Sequence, residues 1–272
     1  DFSDLAGNAA TTVTSVTDTS SVVVDTTAPT LTSVSIASDF GADNTQASIN
    51  NTIKIDFVSS ERIADPTADG AAADPTDLVV TFTSGGVAIN ASRVSYTNVG
   101  DDKINWTAQY VAAPDDTDGA VSFTIAFNDI SGNAGTLVTA VTPPSSSVTF
   151  DKTVPTLSDV GIASSNSTDT LAIVGDKVTV TFTAIEAVGT KVVTFSSAGV
   201  AILASRVDYT STGNTHTAFY NTADSDLDGA VTYSIVVGDL AGNPGDPVTT
   251  GTGSVTFDNL LPDATSVTIA SN

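Results

Sequence analysis

The sequence contains no cysteine and no methionine, and among its 272 residues there is one histidine and one tryptophan. The lack of cysteine excludes disulfides, zinc–thiolate sites, iron–sulfur clusters and cysteine nucleophiles. A Ser–His–Asp catalytic site would have to use His216. No apolar run approaches the roughly 20 residues that a membrane helix needs. We therefore expect no membrane-spanning segment.

Basic residues are also scarce, with 8 Lys and Arg against 31 Asp and Glu, which gives a formal net charge of −23. A surface this negative repels phosphate, so we do not expect a nucleic-acid partner. The same excess favours association with cations, or solubility in salty surroundings.

The residues that are present favour β-strands. Val, Ile and Thr abound, whereas Lys, Glu and Leu are few. With 40% hydrophobic residues the chain can build a core. The length suggests roughly two domains, so the composition predicts an all-β protein of about that number of domains.

Two motifs recur along the chain. Asp-Leu-Ala-Gly-Asn at 4–8 returns as Asp-Ile-Ser-Gly-Asn at 129–133 and again as Asp-Leu-Ala-Gly-Asn at 239–243. Asp-Thr-Thr-Ala-Pro-Thr at 25–30 returns as Asp-Lys-Thr-Val-Pro-Thr at 151–156. Internal repeats of this kind are typical of tandem modules.

The repeats divide the chain into two whole modules, module 1 at 26–151 and module 2 at 152–258. We expect residues 1–25 to be the C-terminal strands of a preceding module and 259–272 to be the first strand of a following one. Module 1 is the longer, mainly through an insertion at 62–77 that reads as a polar surface loop.

Within each module, apolar residues alternate with polar ones. Ile53, Ile55 and Phe57 alternate with Lys54 and Asp56, which is typical of a strand with one buried face. Seven or eight short strands in a module of this size favour an antiparallel two-sheet sandwich. The predicted strands A to G are 31–37, 51–58, 78–84, 92–97, 103–111, 120–127 and 136–150 in module 1, and 156–163, 176–184, 191–197, 205–211, 214–222, 230–237 and 248–257 in module 2.

A Thr/Val-rich module that ends in Asp-Leu-Ala-Gly-Asn, followed by a last strand and Val-Asp-Thr-Thr-Ala-Pro-Thr at 24–30, resembles the bacterial immunoglobulin-like (Big-type) repeats. Such repeats are strung in tandem in large surface proteins, including adhesin stalks, biofilm proteins and surface-layer proteins. The resemblance covers essentially the whole chain. It implies tandem immunoglobulin-like antiparallel β-sandwiches arranged end to end, at the extracellular surface of a cell.

Sandwich topology draws carboxylates toward the central junction. The E–F loop brings Asp116 and Asp118 to the end of module 1, Asp151 lies in the linker, and Glu186 and Asp239 lie at the start of module 2. Carboxylates this close repel unless a cation lies among them, and oxygen ligands without His or Cys suit calcium. The resemblance also implies calcium, because related repeats often hold it at module junctions.

The neighbouring junctions carry comparable residues. The upstream set is Asp25, Glu61 and Asp129, and the downstream set is Asp226, Asp228 and Asp258. A second interpretation stays open for all of these positions, because Asp and Gly also favour turns for backbone reasons and need no metal there.

His216 aligns with Trp106 when residues 105–108 are matched to 215–218. A position that accepts either residue is expected to be an ordinary strand-surface position, so we expect no enzyme activity. The aromatic residues predicted to lie in the core are Phe82, Phe123, Phe182 and Phe195.

The leading functional hypothesis is a structural one: a stalk, spacer or wall element of a large surface protein. Its partners would be neighbouring modules of the same or identical chains, with a cell-surface or matrix ligand as a further possibility. One alternative is an adhesive module that binds through the loop at 62–77. Another is a filament or surface-layer subunit, assembled when residues 1–25 donate a strand to a neighbour.

Overall fold

The computed structural model describes residues 3, 5–9, 23–41, 43–66, 77–143, 145–263 and 265–270. Within them the regular structure is all strand apart from two short 3-10 helices, Ala91–Arg93 and Ala204–Arg206. The strands of module 1 are β1 Leu31–Ser38, β2 Gln46–Ala47, β3 Thr52–Ser59, β4 Val79–Ser84, β5 Val87–Ala88, β6 Ser95–Asn98, β7 Asn105–Val111, β8 Gly119–Ala126 and β9 Val148–Phe150. Those of module 2 are β10 Leu157–Ser164, β11 Leu171–Ala172, β12 Lys177–Ala184, β13 Val188–Ser197, β14 Val200–Ala201, β15 Asp208–Thr212, β16 Thr215–Asn221, β17 Gly229–Asp239 and β18 Val255–Phe257.

Each module contains a four-stranded and a five-stranded sheet. Their orders are β1-β3-β7-β6 and β2-β9-β8-β4-β5 in module 1, and β10-β12-β16-β15 and β11-β18-β17-β13-β14 in module 2. All pairs are antiparallel except β2 with β9 and β11 with β18. In module 1 the main strands β1, β3, β4, β6, β7, β8 and β9 correspond to strands A to G. One sheet then has the order A-B-E-D and the other contains G-F-C, as in an immunoglobulin-like sandwich. The predicted fold class, tandem immunoglobulin-like sandwiches, is confirmed.

The alternating pattern determines which side chains enter the core. In β3, Ile53, Ile55 and Phe57 are each at most 1% exposed. In β12, Val178 and Phe182 are 0% exposed. The inward faces of the two sheets close on one hydrophobic cluster per module. The predicted core aromatics are all buried: Phe82, Phe123, Phe182 and Phe195.

The last strand of each module is shorter than predicted. The sequence predicts strands at 136–150 and 248–257, but only β9 and β18 pair continuously. In module 1 the chain before β9 touches β8 through a bridge from Val138 to Ile125, and then β1 through a bridge from Thr142 to Val34. The segment therefore passes from one sheet to the other and cannot pair along its length with either.

Parts of the sequence predictions fall on residues that the structure does not describe. These are residues 1, 2, 4 and 10–22 of the predicted preceding module, residues 67–76 of the insertion, and residues 264, 271 and 272 of the predicted following module. Residues 259–263 and 265–270 contain no strand. Across the part of the chain that the structure describes, no helix is long and apolar enough to cross a membrane.

Candidate metal sites at the module junctions

The described residues contain two groups of three carboxylates in which one ligand oxygen from each side chain lies within 4.8 Å of the other two. They are an upstream triad, Asp25, Glu61 and Asp129, and a central triad, Asp151, Glu186 and Asp239. In both triads one residue comes from the linker, one follows the second long strand of the module, and one opens the F–G loop. The F–G loop residue is the most buried, with Asp129 2% and Asp239 3% exposed.

The F–G loop of module 1, residues 129–133, positions Asp129 through its own hydrogen bonds. The backbone N–H groups of Ser131 and Asn133 donate to Asp129 Oδ1, each at 2.8 Å. The Asn133 amide Nδ2 donates to Asp129 Oδ2 at 2.7 Å and to the backbone carbonyl of Asp25 at 3.1 Å. The last residue of the repeated motif thus ties the linker to the loop.

The F–G loop of module 2, residues 239–243, repeats this arrangement. Backbone N–H and amide Nδ2 of Asn243 donate to the two oxygens of Asp239 at 2.8 and 2.7 Å. The same amide donates to the carbonyl of Asp151 at 2.9 Å. Because the bonds recur at both loops, the geometry belongs to the Asp-x-x-Gly-Asn motif itself.

Burial and mutual repulsion raise the pKa of carboxyl groups in both triads. The pKa of Glu186 is raised by burial first, and then by the charges of Asp151, Asp239 and Asp118. Burial also raises the pKa of Asp151, with Asp239 and Asp118 adding to it. Glu61 in the upstream triad has its pKa raised by burial and by the other two members. Negative charge therefore accumulates at each triad at an energetic cost that a cation would remove.

Asp129 is held as the anion despite its burial. Burial alone raises its pKa, but hydrogen bonds from Asn133, Ser131 and Gly132 outweigh that effect and bring the pKa below its usual range. A carboxylate that accepts several N–H groups keeps its charge. Asp129 thus supplies a pre-oriented anionic oxygen beside Asp25 and Glu61.

Asp116 and Asp226 belong to neither triad, contrary to their predicted place among the metal ligands. Arg93 donates to the two oxygens of Asp116 at 2.6 and 2.8 Å. Arg206 donates to those of Asp226 at 2.5 and 2.8 Å. Both are bidentate ion pairs in which the aspartate is buried and the arginine side chain is 25–27% exposed. Sequence reasoning missed the role of these arginines, although the segment that carries them, Ala-Ser-Arg-Val, occurs at both 91–94 and 204–207.

The other predicted ligands mainly organise the linkers. Asp118 accepts a hydrogen bond from the backbone N–H of Lys152 at 2.9 Å, close enough to the central triad to influence its charge. Asp228 accepts from the N–H of Asn259 at 2.6 Å, and Asp258 from that of Leu260 at 2.9 Å. Within the described residues, Asp226, Asp228 and Asp258 do not assemble into a third triad.

His216 is buried, so its predicted placement on the strand surface is wrong. It is 5% exposed, and its ring centroid lies 5.4 Å from that of Phe182. Nδ1 is 2.8 Å from the hydroxyl of Ser211 on β15. Trp106, at the equivalent position, is also buried at 4% exposure. Trp106 on β7 and His216 on β16 thus both face the interior of their sandwich from the E strand.

The triads suit a hard divalent cation. Their donors are carboxylate oxygens alone, which calcium and similar ions prefer. Calcium takes 6–8 oxygens at about 2.3–2.6 Å, so three carboxylates would supply part of its shell, with water completing it. The donor set and its close grouping fit calcium at both triads.

Comparisons with protein-family models and with curated proteins find no match. Among solved structures, the chain is similar to the I-band fragment I67-I69 from titin, with 11% identity, a TM-score of 0.41 and coverage of 86% of this chain and 66% of that one. It is also similar to the titin domains z1z2 in complex with telethonin, with 16% identity, a TM-score of 0.27 and coverage of 87% and 98%. The chain thus spans about two thirds of the I67-I69 fragment. At these identities and TM-scores the likeness says nothing of function, and the relation to bacterial repeats stays a prediction.

Proposed function

We propose that this chain is a structural segment of a large extracellular surface protein, serving as a stalk, spacer or wall element whose junctions are stiffened by calcium. The observation that carries the proposal is the recurrence of one carboxylate triad at two successive linkers. The cell-surface location is supported by the acidic composition and by the resemblance of the repeats. Within the described residues, neither the adhesive nor the strand-sharing alternative gains a comparable observation.

The linker is bonded to module 1 without any metal. Asp118 accepts hydrogen bonds from the backbone of Lys152 and from the hydroxyl of Thr153, the latter at 2.6 Å. Lys152 Nζ donates to the carbonyls of Pro114 and Asp116 at 2.7 and 2.6 Å. Because these bonds already fix the linker to module 1, a cation would act on the attachment between the linker and module 2.

Where the linker contacts module 2, a hydrogen bond attracts it and neighbouring carboxylates repel it. Asn243 bonds the carbonyl of Asp151, while the carboxylates of Asp151, Glu186 and Asp239 repel one another. A calcium ion coordinated by all three carboxylates would offset that repulsion. The linker is short and contains Pro155, which restricts bending further. Calcium would thus hold module 2 at one angle to module 1.

Calcium titration of the whole chain tests this proposal. We expect two sites with Kd on the order of 10⁻⁴–10⁻³ M, typical of extracellular modules. Glu186→Gln removes a ligand from the central triad and should leave one site. The matched control Asp208→Asn removes the same charge from an exposed position on β15, and should retain both sites.

Small-angle scattering supplies the structural readout. With calcium the chain should show one well-defined arrangement of the modules, and chelator should broaden it without unfolding either sandwich. Glu186→Gln should resemble the chelated protein even with calcium present. Identical scattering in calcium and chelator, together with no bound metal, would reduce these carboxylates to turn formers.

A further inference from the structure

The two modules also touch through a contact that involves no carboxylate. Phe40, in the loop between β1 and β2 of module 1, lies over Gly242 in the F–G loop of module 2. A Cβ added to Gly242 would lie 2.7 Å from ring atom Cε2 of Phe40 and 2.9 Å from Cζ. A Cβ at this position would therefore force the Phe40 ring to shift, and Gly242 has the positive φ of 86° that glycine adopts readily.

Module 1 carries a copy of the same surface that no other described residue covers at its glycine. Gly132 has φ of 92°, and its loop has the same Asp–Asn hydrogen bonds. No described atom lies within 4 Å of a Cβ built on it. Ser131 is exposed, whereas Ala241 at the equivalent position is 1% exposed. Because the loops share length and conformation, we attribute the difference to the module that precedes the second loop.

We propose that residues 129–133 are a docking surface for a preceding immunoglobulin-like module that carries an aromatic ring at the position of Phe40. This inference rests on the proposed structural function and names the partner at its junctions. Asn133 bonds the carbonyl of Asp25 as Asn243 bonds that of Asp151. The upstream linker therefore approaches this loop just as the central linker approaches its own.

The aromatic ring distinguishes one module from the other, because only module 1 carries it at this position. Phe40 is two residues after Ser38, the last residue of β1, and Asn166 is two residues after Ser164, the last residue of β10. The amide of Asn166 bonds Asp176 inside its own module at 2.8 Å. Module 1 therefore offers a ring to the module that follows it, and module 2 does not. Successive junctions would differ in how tightly they hold their modules.

Spin-label distances test the central contact, because the chain has no native cysteine. Labels at Thr149→Cys and Thr256→Cys occupy equivalent exposed positions of β9 and β18. Phe40→Ala and Gly242→Ala should broaden the distance distribution between the labels, whereas Phe40→Tyr should preserve it. Gly132→Ala is the matched control, since it has the same positive φ but meets no ring.

These measurements are made both in calcium and in chelator. A broader distribution in Phe40→Ala than in the unsubstituted chain, compared within each condition, supports the contact. An effect of calcium without any effect of Phe40→Ala would overturn this inference and leave the proposed function standing. An effect of Phe40→Ala without any effect of calcium would overturn the calcium stiffening in the proposed function and leave this inference standing.

The docking surface itself is tested by placing a second copy of residues 26–151 directly before residue 26 of the whole chain. Labels at Thr149→Cys in both copies report on the new junction. We expect a narrow distribution that broadens with Phe40→Ala in the added copy, and equally with Gly132→Ala in the original. A distribution that is broad from the start, or unchanged by both substitutions, would show that residues 129–133 do not dock a module.

Discussion

Aspartates close together in one loop have different roles, which their partners decide. Asp116 turns inward to Arg93, while Asp118 turns toward the linker backbone at Lys152. Asp115 is 84% exposed at its side chain and lies 3.8 Å from the same arginine. A buried bidentate pair is costly to break because one charge is left without a partner. An exposed pair contributes little.

Asp116→Ala and Asp115→Ala should therefore differ in stability. Removing Asp116 takes away the bidentate partner of Arg93, which keeps only its bond to the carbonyl of Val111 and the distant Asp115, and the acceptor of the Ala113 N–H. It should lower the free energy of unfolding of module 1 by about 3 kcal/mol. Asp115→Ala should change it by less than about 1 kcal/mol. Urea unfolding followed by the fluorescence of Trp106 measures both. Equal losses in the two variants would show that the ion pair is unimportant.

At the scale of the element, the E strands β7 and β16 occupy equivalent positions between the B and D strands but carry different inward residues. β7 places Trp106 there, and β16 places His216. His216 packs against Phe182, and its Nε2 has no hydrogen-bond partner among the described residues. Burial first, and the charge of Lys191 second, hold the pKa of His216 below 6.5. The folded module thus disfavours the imidazolium.

Module 2 should consequently lose stability in mild acid. The unfolded chain binds a proton more readily than the folded one, so the stability is present above about pH 6.5 and is lost as the pH falls below it. The slope is at most about 1.4 kcal/mol per pH unit for one proton. Thermal unfolding at pH 7.5 and 5.5 should show a lower Tm for module 2 at pH 5.5. His216→Phe should remove most of this change, and an undiminished change in that variant would assign it to other groups.

At the scale of the whole molecule, each module has a core of its own. All strand pairing among the described residues stays within one module, and each hydrophobic cluster draws on one module. Among the described residues, the junction includes a linker, a carboxylate triad, the bond from Asn243 to the linker and the contact of Phe40 with Gly242. Stability should therefore reside mainly within the modules, and orientation mainly in the junction.

Truncating one core should leave the other module nearly unchanged. Phe182 is 0% exposed in the core of module 2, so Phe182→Ala should cost that module about 3–5 kcal/mol. Trp106, the single tryptophan, reports only on module 1. Circular dichroism should show a new early transition, while the Trp106 transition keeps its midpoint. A matching shift of the Trp106 signal would mean that the modules unfold as one unit.

The repeats and the alternation in the sequence were sufficient to predict the class of fold. Alternation is local, so Ile53, Ile55 and Phe57 identify a strand with one buried face without any knowledge of its neighbours. The loop order of a sandwich also placed Asp151, Glu186 and Asp239 near one junction, where the structure groups them.

Other features were decided only by the tertiary structure, because they depend on contacts between distant segments. Arg93 reaches Asp116 across 23 residues and withdraws it from the junction. His216 is buried because it lies on the face of β16 that packs against the second sheet. The composition of the chain does not indicate which face that is. The contact of Phe40 with Gly242 joins two modules, and no periodicity in either one predicts it. Local patterns specify strands and turns, whereas the partner of a side chain depends on the packing of the whole chain.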